Sequence, residues 1–381
     1  MTLGHFVIDS NAALLFALLP LFVKELNINF AQAGALATLL LITSSVTQPL
    51  FGFVHDRRPM FPMSSAGLLL AGLAMGLTGF ATSYGQMVAL VFAAGIGVAA
   101  FHPQAVAQAG HASAGNQEWG IALFFTGGST GTGAMTLLIV PLASTFGPHA
   151  TLVALIPAII AAALFLRARS SWIRDAPRRP GSASAGASMR AVAVPLSALL
   201  SVSIFRSAVM TAYLTFLPTL IVVRTGSLAL GAAALAAFLL AGSVGALLGG
   251  AAAHTFGSAP VVIVSLITSL LGLLPVPWLP APLLVPWMFA AGILLFASEA
   301  QVTALAQRLL PAFVGVASSL MMGVGLGIGN VGALVTGVIA DRRGIQVALT
   351  ITTLLLAGAI AGAIVFIVSM RRLGPATAQE A

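Results

Sequence analysis

Charged residues are too scarce in this chain to cover the surface of a water-soluble protein. Its 381 residues include 16 Lys and Arg and 8 Asp and Glu, which is 6% of the total, whereas 59% are hydrophobic. Soluble domains carry about 25% charged residues. The composition therefore excludes a soluble fold and predicts a chain that folds within a lipid bilayer.

The apolar residues fall into twelve runs, most of them long enough to cross a membrane as a helix of about 20 residues. Because a backbone in lipid must satisfy its own hydrogen bonds, runs of this length predict helices rather than the short alternating strands of a barrel. The predicted spans are 3–24, 32–54, 63–82, 85–110, 119–143, 148–168, 193–223, 228–253, 259–278, 283–309, 313–339 and 345–370. The predicted fold class is an all-α membrane protein with twelve transmembrane helices.

One segment interrupts this pattern of apolar runs. Residues 169–190 are rich in Pro, Gly, Ser and Arg, which is typical of a flexible linker. The sequence thus predicts an N-terminal six-helix half (1–168), a cytoplasmic linker (169–190) and a C-terminal six-helix half (191–381).

The basic residues orient the predicted helices. With both termini in the cytoplasm, about eleven arginines lie on the cytoplasmic side and about four basic residues on the other, which is a positive-inside bias. Arg342 and Arg343 are the exception, so the last hairpin fits this topology least well. The net charge of +8 is therefore attributed to membrane topology and not to a nucleic-acid partner.

A similar short pattern follows the second, fifth, eighth and eleventh predicted spans. It occupies residues 52–59, 140–147, 250–257 and 337–344, and it often combines Gly with a basic or acidic residue. Its placement indicates four three-helix units that alternate in orientation. Inverted three-helix repeats nested in two halves are typical of secondary transporters, which open a midplane site to one side at a time.

Four groups of residues carry a resemblance to a known family. They are Gly4-His5-Phe6 with Asp9, Phe101-His102-Pro103, Phe205-Arg206-Ser207, and a glycine row from Gly323 to Gly332 that closes on Asp341-Arg342-Arg343-Gly344. In these residues the chain resembles the major facilitator superfamily and, within it, the fosmidomycin resistance group of bacterial drug exporters.

The resemblance implies two pseudo-symmetric six-helix halves and transport across the bacterial inner membrane, with both termini cytoplasmic. It implies proton-coupled export of a small antimicrobial or anionic compound by alternating access. The expected partners are a small-molecule substrate, protons and the lipid bilayer, without nucleic acid, and we expect a monomer. An importer of a small metabolite or carboxylate in the same fold is the nearest alternative, and a non-transporting membrane receptor is a third.

Ionisable residues within membrane spans cost about 2.5–3.5 kcal/mol to insert, so the few in this chain are candidates for function. His5 and Asp9 are one helical turn apart and face the same way, which predicts a proton-coupling pair; both could instead lie in the wet headgroup region. His102, before the kinking Pro103, is a further proton-coupling candidate or a core histidine. Glu299 is the fourth candidate, or else a structural carboxylate.

Arg206 is the candidate for binding an anionic substrate, because its planar fork matches a carboxylate or phosphonate. The alternatives are a structural ion pair with Glu299 or Asp9, or a side chain that reaches toward the cytoplasmic face. Other candidates for substrate contact are polar residues within spans, namely Asn11, Gln104, Gln108 and Gln301.

A gate is predicted at two span ends. Asp56, Arg57 and Arg58 follow the second span, and Asp341 follows the eleventh; the alternative is a solvated loop that only sets topology. The chain has no Walker lysine motif, nucleophile elbow or group of residues with metal-ligand spacing. We therefore expect neither an enzyme nor an ATP-driven pump, and no metal and no cofactor.

Overall fold

The computed structural model describes residues 1–57, 61–111, 117–172, 192–310, 317 and 319–373, and nearly all of them are helical. The first helices are α1 (Thr2–Glu25), α2 (Phe30–Val46), α3 (Gln48–Arg57), α4 (Met63–Leu77), α5 (Tyr84–His111), α6 (Gln117–Phe146) and α7 (Leu155–Trp172). The remaining α-helices are α8 (Ala193–Thr225), α9 (Leu228–Phe256), α10 (Ser258–Leu273), α11 (Ala281–Phe296), α12 (Glu299–Leu309), α13 (Leu326–Gly329), α14 (Val331–Arg343), α15 (Ile345–Thr353) and α16 (Leu355–Leu373). A π-helix, Ser319–Gly325, precedes α13, and 3₁₀ turns lie at Thr78–Phe80, Gly147–Ala154 and Val276–Trp278.

Within these described ranges, eleven helical segments are long and apolar enough to cross a membrane. One of them, Phe124–Ala168, has 45 residues, which corresponds to about 67 Å at the rise of an α-helix, more than twice the hydrocarbon thickness. Gly147, at φ +62°, interrupts this run, so it accounts for both the fifth and the sixth predicted span. The predicted all-α membrane fold is confirmed.

Several predicted spans are interrupted where the sequence analysis expected continuous helices, and the described breaks lie at Thr47, at Ala297 and Ser298, at Asn330 and at Leu354. The second breaks at Thr47, between α2 and α3, because Pro49 has no N–H to continue the ladder. The tenth breaks at Ala297 and Ser298, between α11 and α12. The break at Ala297 and Ser298 places Glu299 in the first turn of α12, where the helix dipole favours a negative charge.

The described residues group into two compact units. Unit 1 comprises Met1–Arg178 with Leu217–Leu239, and unit 2 comprises Arg179–Phe216 with Leu240–Ala381. The predicted linker, 169–190, spans the change of unit at Arg178, but residues 173–191 lie outside the described part of the chain. The predicted domain boundaries therefore stay a prediction.

Unit 1 is built on close contact between α4 and α5 and on a cluster of aromatic side chains. Gly67 and Gly97 let the two helices touch, since a Cβ at Gly67 would lie 2.5 Å from the Gly97 carbonyl oxygen. The core beside this contact includes Phe101, Phe124 and Phe165. This packing holds the start of α1 against α5 and α6.

In unit 2, the glycine row packs against α8. Gly325, Gly329 and Gly332 recur on one helix face, and an added Cβ at each would collide with Ser203, Ser207 or Ala208. Gly323 and Gly327 have no such neighbour among the described residues. The row is therefore a surface for close helix contact, as in other membrane helices with small residues at the interface.

The two tyrosines of the chain provide a test of unit 2 packing. Tyr213 is fully buried, and its hydroxyl donates to the Leu273 carbonyl at 2.8 Å and lies 2.9 Å from Thr353 Oγ1. Tyr213→Phe should lower the free energy of unfolding by about 1 kcal/mol, because the Leu273 carbonyl loses its donor. Tyr84→Phe is the control, since the Tyr84 hydroxyl makes a longer bond of 3.2 Å in a partly exposed place. Equal unfolding curves for the two variants in detergent would contradict this.

Candidate functional site

Three titratable side chains meet in unit 1 and are called here the His–Asp–His cluster: His5, Asp9 and His102. The i, i+4 spacing on α1 brings His5 Nε2 to 3.2 Å from Asp9 Oδ2, as predicted for a shared helix face. From α5, His102 Nε2 lies 3.2 Å from His5 Nε2 and 3.8 Å from Asp9 Oδ1. The His5 side chain is 4% exposed, that of His102 16% and that of Asp9 28%. Asp9 thus forms the accessible side of the cluster.

Both imidazole rings are fixed through their other nitrogen. His5 Nδ1 lies 2.7 Å from the Phe124 carbonyl oxygen on α6, and its ring stacks on Phe124 with centroids 3.9 Å apart. His102 Nδ1 lies 2.8 Å from the Val98 carbonyl oxygen, one turn back on α5. Since a carbonyl oxygen only accepts, we assign the ring hydrogen to Nδ1 in both residues.

This tautomer assignment leaves the cluster short of one proton. In neutral rings protonated at Nδ1, both Nε2 atoms carry lone pairs, and the ionised Asp9 also only accepts. The three groups then face one another without a hydrogen between them. One added proton, on His5 Nε2, supplies the missing donor, which can bond to Asp9 Oδ2 or to His102 Nε2. The arrangement is therefore suited to binding and releasing a single proton.

Gly128 on α6 makes room for the cluster. A Cβ at this position would lie 2.5 Å from Asp9 Oδ2 and 2.6 Å from His5 Nε2. No other residue type fits there without moving the carboxylate or the ring. Gly127-Gly128 is visible in the sequence as a pair of small residues, but nothing in it shows that one of them borders Asp9.

The same three side chains correct the expectation that no group with metal-ligand geometry exists. One ligand atom from each of His5, Asp9 and His102 lies within 4.8 Å of the others. Two imidazoles and a carboxylate are a donor set that divalent transition metals accept. Sequence spacing could not reveal the group, because His102 is 97 residues from His5.

A second ionic group lies in unit 2. Arg206 Nη2 on α8 is 3.5 Å from Glu299 Oε1, with the Arg206 side chain 3% exposed and that of Glu299 37%. Of the alternatives for Arg206, the ion pair with Glu299 is the one observed, and its burial is incompatible with a side chain that reaches toward the headgroups. Arg206 Nε and Nη1 are also buried, and neither has a hydrogen-bond partner in the described part of the chain.

The predicted polar neighbours have different surroundings. Asn11 is fully buried, and its amide atoms have no hydrogen-bond partner within the described ranges. Gln104 joins α5 to α4, because its Oε1 accepts from the Ser64 amide at 2.9 Å and from the Ser64 hydroxyl at 2.8 Å. Gln301 is buried on α12, two residues from Glu299, and so does not share its helix face.

Most of the predicted gate cannot be placed. The side chains of Asp56 and Arg57, and all of Arg58, lie outside the described residues, as does the side chain of Gln108. Asp341 is exposed near the end of α14, before Gly344, which has φ +83°. The gate and the role of Gln108 stay predictions.

Comparison with known proteins identifies the family. The sequence profile described as "Major Facilitator Superfamily" matches residues 1–325. The Fosmidomycin resistance protein of Escherichia coli (strain K12) is 26% identical over 355 residues, covering 91% of this chain and 86% of the relative. The uncharacterized MFS-type transporter YfnC of Bacillus subtilis (strain 168) is 27% identical over 359 residues, covering 90% and 85%.

Two solved structures share the fold. A bacterial homolog of the human lysosomal transporter Spinster, in an inward-facing and occupied conformation, matches with a TM-score of 0.83 at 15% identity, over 98% of this chain and 96% of that one. The nucleoside transporter NupG matches with a TM-score of 0.73 at 13% identity, over 97% of each chain. The profile, the relatives and the fold agree, and the chain belongs to the major facilitator superfamily of membrane-embedded secondary transporters, which are not enzymes.

Proposed function

We propose that this transporter is driven by protons and that the His–Asp–His cluster is the group that binds them. The observation that carries the proposal is the meeting of two Nε2 lone pairs and a carboxylate at 3.2–3.8 Å, with both Nδ1 atoms committed to backbone carbonyls. A single proton supplies the donor that the cluster lacks. Asp9 is 28% exposed, which gives that proton a route in and out.

The cluster can couple a proton to a change of access. With the proton between His5 and His102, a hydrogen bond joins α1 to α5; without it, the same atoms repel one another. The cluster therefore binds a proton with one affinity in conformations that keep its three side chains together and with another in conformations that separate them. Such a differential affinity is all that coupling requires. Glu299 stays a second proton-coupling candidate, because its carboxylate can accept a proton when it leaves Arg206.

The substrate we propose is a small antimicrobial or anionic compound, exported in exchange for protons. Arg206 supports an anionic substrate, since a buried guanidinium with two unpartnered nitrogens favours an oxyanion. The relative named Fosmidomycin resistance protein supports export of an antimicrobial. In keeping with its bacterial relatives, we assign the protein to the bacterial inner membrane, as a monomer with both termini in the cytoplasm.

Inside-out membrane vesicles test proton coupling and direction together. With a preformed gradient, acid inside, fosmidomycin should enter in exchange for protons and dissipate the gradient. Vesicles that lack the protein, and vesicles that carry Asp9→Asn, should keep it. The dye signal of a pH-sensitive probe reports the gradient.

A different result would favour the importer. If whole cells that express the protein accumulate fosmidomycin while their tolerance of it does not rise, the export direction is wrong. If the drug moves without any change of the gradient, proton coupling is wrong.

A further inference from the structure

The guanidinium of Arg206 is buried with most of its binding capacity unused. Its contact with Glu299 is 3.5 Å, whereas strong charge-assisted N–H···O bonds measure about 2.7–2.9 Å. Nε and Nη1 are buried without a hydrogen-bond partner among the residues described. An unsatisfied buried donor costs free energy, so an acceptor that uses this fork better than Glu299 is strongly favoured.

The geometry of the fork decides how such an acceptor must approach. An arginine grips an oxyanion with two parallel bonds along one of two edges, Nε with Nη2 or Nη1 with Nη2. Both edges include Nη2, and Nη2 is the atom that Glu299 contacts. Nη2 has one hydrogen on each edge, so Glu299 takes up one edge, and an oxyanion that approaches along that edge is held by two bonds only when Glu299 withdraws.

Glu299 is placed so that it can withdraw. It lies in the first turn of α12, directly after the break at Ala297 and Ser298, and its side chain is 37% exposed, against 3% for Arg206. The exposed partner of the pair is thus the carboxylate, and the open approach to the guanidinium lies on its side. The first turn of α12 also favours a negative charge by itself, which lowers the cost of releasing Arg206.

We propose that Glu299 is an internal competitor for an anionic substrate: it occupies Arg206 in the empty transporter, and a carboxylate or phosphonate group of the substrate displaces it. This inference rests on the proposed function for the identity of the site, and it adds the class of ligand and the step by which the ligand is admitted. A neutral compound gains nothing from the exchange, so the pair selects for anions.

Binding to the purified full-length protein in detergent tests this without any transport. The probes are butylphosphonate, butyrate and the uncharged butyramide, titrated by calorimetry or thermal shift. Glu299→Gln removes the competing charge. It should tighten the binding of butylphosphonate and butyrate by about tenfold or more and leave the binding of butyramide unchanged. Glu25→Gln is the matched control, since Glu25 is exposed at the end of α1. Arg206→Lys should weaken the binding of both anions, whether residue 299 is Glu or Gln.

The outcomes separate this inference from the proposed function. If Glu299→Gln weakens the binding of the anions or leaves it unchanged, Glu299 is not a competitor, and this holds for any result of the vesicle transport test. If Glu299→Gln does not give monodisperse protein, Glu299→Asp is used instead: its shorter side chain retracts the charge, and the anions should tighten by a smaller factor. Equal anion affinity for Glu299→Asp and the wild type would then overturn the inference.

Discussion

Asp9→Asn will remove proton-driven transport while exchange of substrate across the membrane continues. The Asn amide nitrogen can donate a hydrogen to the Nε2 of His5, so the cluster has a donor at every pH and no bound proton is needed. Uptake driven by a pH gradient into proteoliposomes should fall at least about tenfold, which corresponds to about 1.4 kcal/mol. Counterflow of labelled substrate, which requires no net proton movement, should stay near the wild-type rate.

Ser10→Ala is the matched control for this change. Ser10 is adjacent to Asp9 on α1, but its hydroxyl donates to the Phe6 carbonyl of the same helix and does not take part in the cluster. Its gradient-driven uptake should remain normal. A normal pH gradient response in Asp9→Asn would remove the cluster from the mechanism, and a loss of counterflow would show that Asp9 holds the substrate site instead.

Gly128→Ala should impair the transporter almost as strongly, although it adds only a methyl group. The new Cβ would stand 2.5 Å from Asp9 Oδ2 and 2.6 Å from His5 Nε2, so the cluster must open or α6 must move away from α1. Overpacking of this kind costs about 1–3 kcal/mol of stability. We expect gradient-driven uptake to fall at least about tenfold, together with a lower midpoint of thermal unfolding.

Gly85→Ala tests whether the effect is specific. Gly85 also lies in a membrane helix of unit 1, and a Cβ there has no described neighbour within 4 Å. This variant should transport normally and be at least as stable as the wild type, because Ala favours helix. If Gly128→Ala transported with the same pH dependence as Gly85→Ala, the space beside Asp9 would have no functional importance.

Much of the fold could be predicted because the bilayer leaves few choices. Long apolar runs must be helices, and the i, i+4 spacing of His5 and Asp9 predicts their contact directly. The sequence signals Pro49 and Gly147 mark real interruptions. The break at Ala297 and Ser298 has no comparable signal, since neither residue is excluded from a helix, and tertiary packing decides it.

The candidate site was predictable only in part, because its key contacts join distant segments. His102 reaches His5 only when α5 packs on α1, and the Phe124 carbonyl that fixes the His5 tautomer is a backbone atom with no sequence signature. The pairing of Arg206 with Glu299 was one of several alternatives that composition allowed. The contact itself, the burial of Arg206 and the position of Glu299 at a helix start are seen only in the structure.

The two ionic groups occupy equivalent positions in the two predicted six-helix halves. The His–Asp–His cluster links the first and fourth spans, α1 and α5, and the Arg206–Glu299 pair links the seventh and tenth, α8 and α12. On the proposed function, and if the chain arose by duplication of a six-helix ancestor, one copy of this position has specialised for a cation and the other for an anion. The driving ion and the cargo can then evolve separately, so that a relative acquires a new substrate by changing α8 and α12 and keeps its energy source in α1 and α5.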